Sequence, residues 1–81
     1  MRIISKFMLA KIEMYSDGKH WCARGIGEDI FTEGETLDEL MSNVKEAVEV
    51  HFAELLEKGE HIRILSLSEL EVEPFAKVTS S

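Results

Sequence analysis

The chain predicts an α+β domain: a two-layer β-β-β-α-β arrangement in which one long helix packs on a small sheet. Three observations lead there. Apolar residues alternate with polar ones along the first segment. An Asp17-Gly18 pair then interrupts the pattern in the manner of a hairpin. From Leu37 onward the apolar period changes from two to between three and four.

The first strand is expected within Arg2 to Tyr15. Met8, Ala10, Ile12 and Met14 form one wholly apolar side, while Phe7, Leu9, Lys11, Glu13 and Tyr15 form a mixed one. "SDGK" predicts a turn, and Asp17-Gly18 suits the two-residue type I′ form, which needs positive φ. "HWCARG" returns as the second strand, "GIGED" is a loop, and "DIFTE" is a short third strand ended by Gly34. Thr36 is the expected N-cap, and Glu39 three residues on completes a capping box. Asp38 and Glu39 also suit the positive end of the helix dipole. Leu37, Leu40, Met41, Val44, Ala47, Val48, Phe52, Leu55 and Leu56 form one stripe, and Lys58-Gly59 marks the stop. A straight helix of about 22 residues would be about 33 Å long. The tail offers a last strand. "LEVEPF" alternates, with Leu70, Val72 and Pro74 on one side, and Pro74 confines such a strand to its end or to an edge. "KVTSS" is expected to fray.

Eighty-one residues suit one domain, here 1–81, with no separate DNA-binding domain. A chain of this size buries only roughly 60% of its unfolded surface, so its core is thin. The apolar share of 44% and the charged share of 31% are those of an ordinary globular domain. A formal net charge of −7 argues against direct DNA binding and for a basic partner or simple solubility. The single cysteine, Cys22, rules out an internal disulfide framework and fits a reducing, cytoplasmic setting. Lys6, Lys11 and Glu13 break up the apolar residues near the N-terminus, so neither a signal peptide nor a membrane span is expected.

No enzyme, metal or cofactor is expected. His20, His51 and His61 form no ligand-spaced pair. His20 and Cys22 share a strand face, but a mid-strand thiol beside Trp21 reads as buried and structural rather than as an activated nucleophile. His51 reads as a residue at the margin of the apolar stripe. Glu28, Asp29, Glu33 and Glu35 gather before the helix without a calcium-loop pattern, which suits a solvated acidic rim. "GIG" lacks the later glycine and lysine of a phosphate cradle.

"KIEMYSDGKHWCARG" followed by "IFTEGETLDELMSNVKEAVEVHFAELLEKGE" resembles the HicB-type antitoxin domain. The matching positions are Asp17, Gly18, Trp21, Thr32, Gly34, Thr36, Glu39, Glu46 and Ala47, and the resemblance spans about Leu9 to Glu60. It implies a shortened ribonuclease-H-like sheet that lacks the catalytic carboxylates. It also implies neutralisation, by occlusion, of a small basic mRNA-cleaving toxin of the HicA type. The family's proline-containing loop before the third strand is replaced here by "GIGEDIF", so that loop's role does not carry over. Residues beyond Gly59 are too few for the DNA-binding module that many such antitoxins carry. Glu28, Asp29, Glu33 and Glu35, with the helix acids Asp38, Glu46 and Glu49, are the expected partner-binding charges. Asp17, Gly18, Trp21, Gly34, Thr36, Glu39 and Gly59 are expected to be structural. Open sheet edges favour a homodimer or higher homo-oligomer. The alternative function is a stand-alone, self-associating structural or regulatory domain that binds another protein or a small ligand.

Overall fold

The computed structural model describes residues 7–75. The proposed strand residues 2–6 and the "KVTSS" tail lie outside them. The elements are β1 (Phe7–Ser16), β2 (Trp21–Gly25), β3 (Phe31–Gly34), α1 (Leu37–His51), α2 (Ala53–Glu57) and β4 (His61–Ser68). The fold is α+β, with the helices on one face of a four-stranded sheet ordered β3-β2-β1-β4.

β1 is central because it is the longest strand and carries the cleanest apolar alternation. Its second half pairs antiparallel with β2, from Ile12↔Gly25 to Ser16↔Trp21. Its other edge pairs parallel with β4, from Phe7↔His61 to Met14↔Ser68. β3 continues the sheet antiparallel to β2. Paired residues share a face. Ala10, Ile12 and Met14 therefore lie with Ala23, and this side packs on Leu40, Val44, Val48 and Phe52. Ile62 and Ile64 extend the same layer along β4. Among the described residues only Ile12 and Leu40 are large side chains shut off almost completely from solvent, a thin core as the chain length requires.

The hairpin forms at Asp17-Gly18, but its connection has four residues, Asp17 to His20, between the paired Ser16 and Trp21. Asp17 Oδ1 accepts the amides of Lys19 (2.9 Å) and His20 (2.7 Å). Among the described residues only glycines have positive φ, so Asp17 cannot supply the first position of a type I′ turn. The side chain's local hydrogen bonds select the wider loop instead.

The helix start follows its local chemistry. Thr36 Oγ1 accepts the Glu39 amide at 3.0 Å, and Glu39 Oε1 accepts the amide of Glu35, one residue before the cap, at 2.6 Å. The expected straight helix is replaced by two segments that meet at Phe52. Hydrogen bonds meet at the junction from both sides: Phe52 donates to the Val48 carbonyl (3.0 Å) and accepts from the Leu56 amide (3.1 Å). The backbone at Phe52 nevertheless leaves helical geometry, at φ −110°, ψ 30°, with its side chain buried in the core. The break in the helix thus falls where one aromatic ring enters the core. The helix ends in a Schellman arrangement, in which Gly59 (φ 85°) donates to Leu56 and Glu60 donates to Leu55.

The last strand lies in "HIRILSLS", not in "LEVEPF". Both stretches alternate, but the short connection from Gly59 brings His61 first to the free edge of β1. Residues 69–75 follow β4 without regular structure, and Leu70, Val72 and Phe75 are 75%, 91% and 97% exposed.

Candidate functional site

The acids that gather before the helix in sequence separate in space. Glu33 sits in β3 opposite Cys22, on the sheet face away from the helices, with its carboxylate 3.8 Å from His20 Nδ1. Glu28 lies in the β2–β3 loop, where Oε1 is 3.2 Å from His51 Nε2. Glu35 and Asp38 are exposed at the strand-to-helix junction. At 100° per residue, Asp38, Glu46 and Glu49 fall on the solvent half of α1, opposite Leu40, Val44 and Val48.

Two of the expected residues meet in an open groove of about 430 Å³ between β3 and α1. Asp29 and Glu46 lie on its walls, with Phe31, Val50 and His51 among their neighbours. Val50 is 73% exposed, so carboxylates and unburied apolar surface share this groove, while Phe31, paired with Arg24, turns its exposed side chain to the other sheet face. Asn43 fixes one wall by donating from Nδ2 to the Glu33 carbonyl (2.9 Å), which ties α1 to β3. Glu49 lies on the other flank of α1, beside Ile62 and Ile64 of β4. The seven proposed acids therefore form a broad surface around the helix layer, with Glu33 set apart, rather than one cluster.

The charge is divided between the layers. Residues 35–58 contain seven acids and two lysines. The opposite sheet face carries Lys11, Arg24 and Arg63 beside Glu13 and Glu33. There Arg24 Nε bonds Glu13 Oε1 at 2.8 Å, and the guanidinium lies 5.6 Å from the Tyr15 ring centre. The Glu13 hydrogen bond and charge hold Arg24 firmly protonated.

The Cys22 thiol is pushed up by burial, with the Asp17 and Glu33 carboxylates adding to the shift. It is thus kept from the thiolate that nucleophilic chemistry needs. His20 lies before β2 rather than in it and faces Glu33. Among the described residues no three His, Cys, Asp or Glu side chains gather closely enough to hold a metal ion. No helix among them is long and apolar enough to cross a membrane.

Sequence reasoning missed the His51–Glu28 pair, which spans 23 positions and has no local signal. It also missed the Asn43 tie, because asparagine at mid-helix reads only as a polar residue. Trp21, expected to be structural, is half-buried against the core, opposite Gly34. Comparison with models of known families, with characterised proteins and with solved structures found no match.

Proposed function

We propose that this chain is an antitoxin-like binding protein that neutralises a small basic mRNA-cleaving toxin of the HicA type by covering its RNA-binding surface. The observation that carries the reading is the acidic helix layer, in which Asp29 and Glu46 line one groove with exposed Val50. Charge steers a basic partner toward such a surface, and the unburied apolar side chains give it something to exclude water from. The HicB-like positions support the same reading, since Asp17, Gly18, Thr36 and Glu39 occupy the turn and cap that such a domain needs.

The test is to read the neighbouring gene and, where it encodes a short basic chain, to co-express the two, co-purify them and assay RNA cleavage. The expected result is a complex that loosens as salt rises and suppresses cleavage. Asp29→Lys with Glu46→Lys should weaken it by about tenfold or more, since facing like charges costs several kcal/mol. Absence of such a neighbour, or cleavage that continues in its complex, would move the function to a stand-alone, self-associating domain. The unburied apolar residues of the 69–75 segment favour that second reading.

A further inference from the structure

Among the described residues the outer edge of β4 is the longest unpaired edge of the sheet, and residues 69–75 follow it without regular structure. The Glu69 amide turns inward to the Met14 carbonyl (3.2 Å). Peptide groups alternate sides along a strand, so those of Ile62, Ile64, Ser66 and Ser68 turn outward. Were residues 69–73 to continue the strand, those of Leu70 and Val72 would follow, with their side chains on the helix side of the sheet and Glu69, Glu71 and Glu73 on the far side. Beside β4 on the helix side are two adjoining hollows of about 240 and 250 Å³. Met41, Val44, Leu56, Ile62 and Ile64 are among their walls, with Met41 51% and Leu56 37% exposed. One segment thus offers unburied apolar side chains, and the neighbouring edge of the same chain offers an apolar trough.

We propose that β4 and residues 69–75 form a self-pairing edge: two copies of this chain join antiparallel about a two-fold axis at Leu67, and the tail of each completes the sheet of the other. In this register Leu70 stands opposite Ile64 of the other copy and Val72 opposite Ile62, so both cover the trough. On the far face, Glu71 stands opposite Arg63 and Glu73 opposite His61, setting an acidic tail against the basic end of the strand. Leu67 meets its own copy. The ladder ends where Pro74 reaches Glu60. Proline has no amide to give there, and the Glu60 amide is already held by the Leu55 carbonyl at 3.0 Å. Shifting the register by two residues one way puts Pro74 inside the ladder. Shifting it the other way sets Val72 against Glu60. The pairing uses the β4 side of the molecule, where Glu49 lines one hollow, whereas the Asp29–Glu46 groove lies on the β3 side.

The experiment uses the full chain alone. Light scattering after size exclusion should give twice the chain mass. Leu70→Asp with Val72→Asp should raise the dissociation constant by about tenfold or more, through the lost apolar burial, with an unchanged far-ultraviolet dichroism spectrum. Leu67→Cys tests the register separately. Directly opposed residues have Cβ atoms about 4.5–5.5 Å apart, so mild oxidation should yield a covalent dimer. Leu65→Cys, whose opposite number is Glu69, should not, and the wild-type chain with its buried Cys22 is the blank. A monomeric wild-type chain would overturn the proposal. So would a dimer that survives the double Asp variant, or one cross-linked through position 65 rather than 67.

Discussion

Asp17, Thr36 and Gly34 each show what a single residue contributes to this fold. The amides of His20 and Lys19 hold the Asp17 carboxyl below its usual range. Its folded value lies below its unfolded one, so its contribution is complete above about pH 4 and is lost as pH falls through the folded value. Melting temperatures of the wild type and Asp17→Asn should differ at neutral pH and converge in strong acid. Thr36→Ala removes the acceptor for the Glu39 amide and should cost about 1 kcal/mol, read from a denaturant midpoint. Both residues were legible in the sequence because caps and Asx turns are local chemistry. Gly34 was legible only as the end of a strand. Its actual constraint is tertiary: a Cβ there would lie 2.8 Å from the Leu40 backbone nitrogen. Gly34→Ala must therefore push the helix start off the sheet. It should cost about 1–3 kcal/mol, the usual range for overpacking, in the same denaturant measurement.

Elements were legible wherever one period of side chains decides them. The alternation of Met8, Ala10, Ile12 and Met14 located β1, and the Leu40–Val44–Val48 stripe located α1. The break at Phe52 was not legible, because the apolar stripe continues through it. It coincides with the burial of one ring in a small core. Phe52→Ala should cost about 3–5 kcal/mol, which a domain this small can ill absorb. Loss of the cooperative thermal transition at ordinary temperature is the expected readout. Choosing between "HIRILSLS" and "LEVEPF" was likewise beyond local pattern, since Ile62-Ile64 and Leu70-Val72 alternate alike. The free edge of β1 and the length of the connection made the choice. The dispersal of Glu28, Asp29, Glu33 and Glu35 has the same origin: neighbours in sequence straddle a strand, and a strand sends successive side chains to opposite faces.

At the scale of the whole molecule, the helix layer carries most of the excess negative charge, while the opposite sheet face mixes signs. Net charge was legible from composition; its division between layers required the strand register. A basic partner and a second copy would therefore meet different sides, and a complex with both would hold them in equal numbers. The parallel pairing of β1 with β4 reaches further. The central strand, made first, finds its second neighbour only in residues 61–68, more than fifty positions later. During synthesis the domain must wait, with one edge of its middle strand bare, until residue 68 clears the ribosome. Chains stalled at residue 60 should resist no protease and exert no folding force, whereas chains carried past residue 68 by a neutral extension should do both. A cell that halts this message late accumulates unfinished chains, which are easily degraded, rather than a partly active product.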